Sequence, residues 1–355
     1  MRDAITDVAG IKVGHWSDRR AVTGCTVVLA EAGATAGYIS LGGAPGTIDT
    51  DLLRPENRVP EVHAVLLSGG SADGLEAAVG VRTALRERGT GFALGPGLPL
   101  MPIVVGAVVF DLGIGRSTAH PDAAAGRRAV RRASGGKVEQ GSVGAGTGCT
   151  VAKLAGPDFM LKSGIGTAAA RHESGLSVGA IVAVNAAGDV YEAENGALVA
   201  GPRGRRRGEM RRGSDLMMQK SLAEYAEEAA EAQGTLAGSM DAFRNTTIGV
   251  VATNARLNKA GATRLAIMAN DGLAASVRPA HTPADGDTIF ALATGDWDVD
   301  MGELPGLMAL LGSMAASAVS RAIVNGVREA KGLGGVPSVG EWGRRRRSTR
   351  FARSE

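Results

Sequence analysis

The sequence has few aromatic residues, few cysteines and few histidines. Phe, Trp and Tyr make up 3% of the 355 residues, so the core must be built from Ala, Val, Leu and Ile. The two cysteines, Cys25 and Cys149, are too few for a disulfide framework, and their apolar surroundings predict buried, reduced thiols. The five histidines lie far apart, without metal-ligand spacing, so we expect neither a metal nor another cofactor.

A secretion leader and long apolar runs are also missing. The chain starts Met-Arg-Asp, and no apolar segment follows as in a signal peptide. We also expect no apolar run of membrane-spanning length. We therefore expect a cytoplasmic protein without a membrane partner.

A large excess of one charge is missing too, since the formal net charge is only +3. Arginines do crowd two places, residues 203–212 and residues 344–353. Such clusters can bind nucleic acid, but no aromatic side chain interleaves with the first cluster, as base stacking would require. We interpret the first as a solvated loop and residues 336–355 as a disordered basic tail, and we expect no nucleic-acid partner.

Glycine, by contrast, is abundant at 53 residues, which predicts tight turns and close backbone approach. The Gly-rich segments 42–46 and 144–148 loosely resemble phosphate-binding loops. Neither carries the Gly-Lys-Ser/Thr of a P-loop or a full dinucleotide fingerprint, which argues against a nucleotide site. Backbone amides of these loops could instead line a peptide pocket.

Apolar runs and helical patterns alternate along the chain. Predicted strands cover residues 8–16, 25–30, 62–67, 103–110, 176–184, 190–191, 248–254 and 289–294, with hairpin turns expected at 156–157 and 185–188. Predicted helices cover residues 73–88, 121–133, 259–275 and 304–329, the last as one or two helices. The amino-acid composition changes over residues 201–243, and we interpret this segment as a mobile linker. Mixed buried strands and helices indicate sheets covered by helices.

The triplet Asn245-Thr246-Thr247 stands where this linker meets an apolar run. A Thr at such a point can attack the preceding carbonyl, shift the acyl group from nitrogen to oxygen, and become a new N-terminus after hydrolysis. The freed α-amine, with a pKa of roughly 8, then serves as base for the same hydroxyl. The alternative is an ordinary strand start with Asn turn chemistry.

The order of several motifs decides between these alternatives. The chain resembles the L-aminopeptidase/D-esterase and β-aminopeptidase family, whose members are self-cleaving N-terminal-nucleophile hydrolases that include nylon-oligomer hydrolases. The motifs are ITDVAGIKVGH (5–15), TGCTVV (23–28), LSGGSADG (67–74), VVFDL (108–112), GAGTGCT (144–150), NTTI (245–248) and DGDTIF (285–290). The resemblance implies an α/β fold, a four-layer α-β-β-α sandwich, in one hydrolase domain of residues 1–335. It also implies cleavage into 1–245 and 246–355, and a homo-oligomer, a tetramer, of processed chains.

The resemblance assigns roles to five residues. Thr246 is the nucleophile, Asn185 donates its amide N–H to the oxyanion, and Lys153 stabilises charge near the nucleophile. Asp285 and Asp287 orient the hydroxyl and the new amine, and their spacing in an alternating pattern places both carboxylates on one face. The division of labour between these two carboxylates stays open.

Two positions qualify the resemblance. Asn245 precedes the cut and tolerates the strained conformations that favour an acyl shift. Phe110 replaces a Tyr that some family members carry in the Val-x-Tyr-Asp stretch, so no phenol contributes here and the oxyanion role falls on Asn185 and backbone amides.

The sequence therefore predicts an aminopeptidase or amidohydrolase that acts on small peptides, amides or esters by acyl-enzyme chemistry. Two alternatives remain: an acetyl-transferring relative similar to ornithine acetyltransferase, and a non-catalytic basic binding protein.

Overall fold

The computed structural model describes residues 2–232, 245–300 and 305–343. Its strands are β1 (Ile11–Asp18), β2 (Thr23–Ser40), β3 (Thr47–Ile48), β4 (Val62–Ser68), β5 (Val104–Val108), β6 (Thr150–Val151), β7 (Leu161–Lys162), β8 (Ile165–Arg171), β9 (Ser177–Asn185), β10 (Asp189–Tyr191), β11 (Leu198–Ala200), β12 (Thr246–Arg256), β13 (Val277–Arg278) and β14 (Thr288–Asp300). Its α-helices are α1 (Ala77–Glu87), α2 (Ala123–Arg132), α3 (Gly213–Gln219), α4 (Leu222–Ala232), α5 (Lys259–Ser276), α6 (Pro305–Arg328) and α7 (Val339–Gly343).

The long strand β2 joins two halves of the β-structure. Its first half pairs with β1 and β4, and its second half pairs antiparallel with β14. The register shifts between Leu29 and Ala34, where Gly33 has a left-handed φ of +87°. The hydrogen-bonded order is β3-β5-β4-β2-β14-β12-β9-β8, with β1 attached to β2.

Three apolar clusters show that these strands form two stacked layers between two helical layers. Alternate residues along each strand face opposite sides. In β2, Val27 packs with α1 and α2 while Val28 packs in the central cluster, which also holds Ile181 of β9 and Val250 of β12. Val251 instead faces the cluster formed with α5 and α6. The order helix, sheet, sheet, helix confirms the predicted four-layer sandwich.

The prediction of a hairpin at 185–188 is wrong. Strand β10 pairs with β11 and β13 in a separate three-stranded sheet, not with β9. The segment after β9 pairs elsewhere: Lys153 N–H donates to Ala187 O at 2.9 Å, and Ala152 N–H donates to Gly188 O at 3.1 Å. A hairpin signal in the sequence cannot reveal such a distant partner. The other predicted hairpin does form, since β6 and β7 pair antiparallel.

Helix α6 forms as a single helix within the predicted 304–329, and it is more apolar than the sequence analysis expected. Within the described part of the chain, Gly306–Arg328 is the one helix with the length and hydropathy, a mean of 1.7, to cross a membrane. More than half of that segment is buried, and the helix packs on β8, β9 and α5. Such packing is typical of a core helix, and we treat α6 as one.

Two segments that the sequence assigned to a linker and a tail make specific contacts. Arg203 stacks on the Trp342 ring, with 5.0 Å from its guanidinium carbon to the ring centroid. The Trp342 indole N–H donates to Glu209 O at 2.8 Å. Residues 336–343 therefore pack on the start of the 201–243 segment, while 233–244 and 344–355 lie outside the described residues.

Candidate active site

Thr246 is the first residue of β12, and its partner across the strand pair is Asn185, the last residue of β9. Strand β12 lies between β9 and β14, and the segment that precedes β14 reaches the same place, because Asp285 forms a bridge with Asn245. Thr246, Asn185, Asp285 and Asp287 are all buried. The sheet order thus brings together residues that are up to 102 positions apart in the sequence.

The carbonyl oxygen of the Asn245–Thr246 peptide bond has two polar neighbours. The Thr246 hydroxyl contacts the Asn245 carbonyl oxygen. The same oxygen accepts a hydrogen bond from the Gly286 N–H at 3.0 Å. A donor on this oxygen stabilises the negative charge that attack on the carbonyl carbon would create.

Gly286 is a candidate site residue that the sequence analysis did not single out. An ideal Cβ at this position would lie 2.8 Å from Thr246 Oγ and 2.9 Å from Ala44 O. Only glycine therefore lets the 286 amide reach the Asn245 carbonyl without a side chain displacing the Thr246 hydroxyl. The Asp-Gly-Asp pattern gave a signal for a turn but none for this contact.

Asp287 and Asp285 hold the backbone around the nucleophile. Asp287 accepts the Thr247 N–H at 2.6 Å and the His281 N–H at 2.9 Å, while Asp285 accepts the Thr282 N–H at 2.8 Å. Burial and the neighbouring Asp287 charge raise the pKa of Asp285 above its ordinary value. In the described part of the chain, neither carboxylate bonds to the Thr246 hydroxyl; besides these backbone N–H groups, Asp287 lies 3.0 Å from the His281 ring nitrogen Nδ1.

The orientation of the Asn185 amide follows from its partners. The Thr150 N–H and the Lys153 ammonium, which can only donate, both lie 3.0 Å from Asn185 Oδ1. The Phe110 carbonyl, which can only accept, lies 2.9 Å from Asn185 Nδ2. Oδ1 therefore faces Thr150 and Lys153, and Nδ2 carries the N–H groups on the other side.

Lys153 and Phe110 both act on Asn185. The Lys153 ammonium also donates to the Asn185 carbonyl oxygen at 2.9 Å. Phe110 contributes its backbone carbonyl to this arrangement, so the exchange of Tyr for Phe leaves that contact intact. The positive charge of Lys153 also acts on Asp285 and partly opposes the rise in its pKa.

A cavity of about 310 Å³ opens beside this cluster. Its wall includes Asn245, which precedes Thr246. It also includes Lys153 and Thr150, which both contact Asn185. The remaining wall is mostly apolar, with Phe110, Ile114, Leu154, Pro157, Met160 and Ala187 among its residues. The cavity can take a small, largely apolar group beside Asn245.

The described residues contain no group of three or more His, Cys, Asp or Glu side chains that could hold a metal ion. Both cysteines are free and buried, as predicted.

A family model described as peptidase family S58 matches residues 3–339. The chain belongs to this family. It is a hydrolase, as the sequence analysis predicted.

Two curated relatives illustrate the family. An uncharacterized aminopeptidase of Mycobacterium tuberculosis is 40% identical over 355 residues, covering 95% of this chain and 96% of the relative. A 6-aminohexanoate-oligomer endohydrolase of Paenarthrobacter ureafaciens is 30% identical over 304 residues, covering 84% of this chain and 77% of the relative.

Solved structures share the fold. A β-aminopeptidase of Burkholderia sp. matches with a TM-score of 0.65 and 23% identity, over 97% of this chain and 92% of that one. The L-aminopeptidase D-Ala-esterase/amidase of Ochrobactrum anthropi, described as a variant of the N-terminal-nucleophile hydrolase fold, matches with a TM-score of 0.67 and 20% identity, over 95% and 88%.

Proposed function

We propose that this protein cleaves itself once between Asn245 and Thr246 and then hydrolyses small N-terminal aminoacyl amides, peptides or esters through an acyl-enzyme on Thr246. The observation that carries the proposal is the contact of the Thr246 hydroxyl with the Asn245 carbonyl, whose oxygen already accepts the Gly286 N–H.

Self-cleavage begins with attack of Thr246 Oγ on the Asn245 carbonyl carbon. A carbon–oxygen bond forms, the peptide carbon–nitrogen bond breaks, and the hydroxyl proton moves to the leaving nitrogen. Water then hydrolyses the ester to give the Asn245 carboxylate and a Thr246 residue with a free amine. The Gly286 N–H stabilises the oxyanion of the first step, and Asp287 fixes the backbone by binding the Thr247 N–H.

Turnover uses the new amine. It takes the Thr246 hydroxyl proton as Oγ attacks the substrate carbonyl, and it returns a proton to the leaving amine. Water then releases the acyl group by the same route. Asn185 lies opposite Thr246, and its Nδ2 donates to the substrate oxyanion, with Lys153 adding positive charge.

The size and the apolar wall of the cavity limit the acyl groups that a substrate can carry. Ile114, Leu154 and Met160 give it an apolar wall beside Asn245, which suits a small or unbranched chain. Linear ω-amino-acid amides fit this description, and one relative is named for the cleavage of 6-aminohexanoate oligomers. We include such amides among the proposed substrates.

We also propose that processed chains assemble into a homo-oligomer, a tetramer by family resemblance. Light scattering on purified protein tests this: four times the 36.0 kDa chain mass supports it, and a single-chain mass contradicts it.

Hydrolysis of a panel of aminoacyl anilides, aminoacyl esters and 6-aminohexanoate dimers tests the function. Release of free acid without an added acceptor amine is expected, and it would argue against an acetyl transferase. No release from any substrate by fully processed protein would contradict the proposal. Salt-sensitive retention on DNA by an intact chain would favour the binding-protein alternative.

A further inference from the structure

A lysine that the reaction does not use directly is buried beside the site. Lys162 has 0% of its surface exposed and is among the largest fully buried residues that the structure describes. Its ammonium donates to the Cys149 carbonyl at 2.8 Å, to the Gly146 carbonyl at 3.0 Å and to the Ser163 carbonyl. A buried ammonium requires such partners, because an unpaired charge would be far less stable there.

One of these carbonyls belongs to the peptide group that orients Asn185. The Cys149 carbonyl and the Thr150 N–H are the two ends of one planar peptide unit. The carbonyl end accepts from Lys162 at 2.8 Å and from the Ser163 N–H at 3.0 Å, and the N–H end donates to Asn185 Oδ1 at 3.0 Å. The unit is therefore held on both sides, between a buried cation and the Asn185 amide.

A cation at the oxygen of a peptide group polarises the group and makes its N–H a stronger donor, since hydrogen bonds in a chain reinforce each other at low dielectric. The stronger bond to Oδ1 in turn makes the Nδ2 N–H a better donor. We propose that Lys162 is a positioning residue for turnover: its ammonium fixes and polarises the Cys149–Thr150 peptide, and through it holds Asn185 as an oxyanion donor. The inference rests on the proposed role of Asn185.

The charges around Lys162 agree with this role. Burial lowers the pKa of Lys162 to about 8, while the facing Cys149 thiol and the Asp111 carboxyl act to raise it and Arg19 acts to lower it. The ammonium form is therefore present below about pH 8 and is lost as the pH rises beyond it. Neutral Lys162 would leave the Cys149 carbonyl with a weaker partner.

The chain offers a matched control for Lys162. The ammonium of Lys259 also donates to three backbone carbonyls, those of Leu52 at 2.8 Å, Arg54 at 3.3 Å and Asn57 at 2.6 Å. None of these carbonyls belongs to a peptide unit that contacts Asn185 in the described residues. Lys259→Met removes the same number of bonds to backbone carbonyls, at a partly exposed position, without touching the proposed relay.

The experiment is a double-mutant cycle on processed enzyme. Lys162→Met, Asn185→Ala, the double variant and Lys259→Met are compared by kcat and KM, with rates normalised to the amount of free Thr246 N-terminus. We expect Lys162→Met to lower kcat about ten- to a hundredfold, a part of the ~10²–10³ that a whole oxyanion donor contributes, with little change in KM. In the Asn185→Ala background the same substitution should change kcat less than about twofold, because the effect passes through Asn185. Lys259→Met should keep the wild-type kcat.

Two results would overturn the inference. One is a wild-type kcat in Lys162→Met while Asn185→Ala is impaired, and the other is an equal loss from Lys162→Met with and without Asn185. If Asn185→Ala itself keeps its kcat, the proposed function of Asn185 fails first, which separates the two claims. If Lys162→Met yields no folded protein, the neutral Lys162→Gln replaces it in the same cycle. Loss of the Lys162 charge should also lower wild-type kcat as the pH rises past about 8, and the neutral variant should lack this effect.

Discussion

Asn185 and Thr246 are direct partners in the register of two paired strands, Asn185 at the end of β9 and Thr246 at the start of β12. The proposed oxyanion donor therefore lies opposite the proposed nucleophile. A one-residue slip between β9 and β12 would turn each side chain to the other face. The register is set by the apolar residues that follow, with Ala183 opposite Ile248 and Ile181 opposite Val250, all buried in the central cluster. Core packing thus fixes the geometry of the site.

Thr246→Ala should abolish both self-cleavage and turnover, because no hydroxyl remains for either step. Thr246→Ser should keep part of each. Thr247→Val is the matched control, since the Thr247 hydroxyl is buried and has no hydrogen-bond partner within the described part of the chain. Gel analysis and initial rates check all three; normal cleavage of Thr246→Ala would move the nucleophile elsewhere.

Gly286→Ala should slow self-cleavage at least tenfold, since its Cβ would lie 2.8 Å from Thr246 Oγ and force the 286 amide away from the Asn245 carbonyl. The loss of one such donor typically costs ~10²–10³ in rate. Gly340→Ala is a suitable control, because a Cβ there meets nothing within 4 Å. The fraction cleaved over time after synthesis is the measurement, and processing of Gly286→Ala at the wild-type rate would remove this amide from the mechanism.

Asn185→Ala and Asp287→Asn should separate processing from turnover. Asn185→Ala should still cleave itself, because the Gly286 N–H serves that step, yet lose roughly 3–4 kcal/mol of transition-state stabilisation in kcat. Asp287→Asn should impair cleavage as well, since Asp287 holds the Thr247 N–H before any free amine exists. Fraction processed and kcat for an aminoacyl anilide test both; a wild-type kcat in processed Asn185→Ala would leave Lys153 and backbone amides as the oxyanion donors.

Asp111 should make stability depend on pH. Burial raises the pKa of Asp111 to about 6 although the Gly70 N–H and the Thr23 hydroxyl both bind it. Because the folded pKa exceeds the unfolded one, the contribution of this group is present at low pH and is lost as the pH rises through about 6. Wild type should therefore lose about 2 kcal/mol relative to Asp111→Asn between pH 4.5 and 7.5. Urea unfolding at both pH values measures this, and a difference that does not change with pH would refute it.

The sequence patterns were sufficient for the main buried strands and helices, and the family resemblance supplied the four layers and the candidate residues around Thr246. Continuous apolar runs in β9 and β12 predict buried strands, and the motifs around Asn245 and Asp285 carry part of the family resemblance. The sequence patterns do not predict contacts between distant segments. The orientation of Asn185 depends on Phe110, Thr150 and Lys153, which only the folded chain brings together.

Similar limits explain the errors. Asn185-Ala-Ala-Gly188 has hairpin composition, but residues 187–188 pair with residues 152–153 instead. The second half of β2 is rich in Gly and Ala, which have low β-propensity, so the sequence pattern did not predict a strand there. The strand forms because β14 pairs with it. The sequence analysis did not single out Lys162, since only its three carbonyl partners in the fold reveal a buried cation.

The most direct test of the account is the intact mass of the purified protein together with the N-terminal sequence of each chain present. We predict two chains of about 25 and about 11 kDa, the smaller with 110 residues and an N-terminus at Thr246-Thr247-Ile248. An active protein with a single 36.0 kDa chain, or with a new N-terminus at any residue other than Thr246, would contradict it.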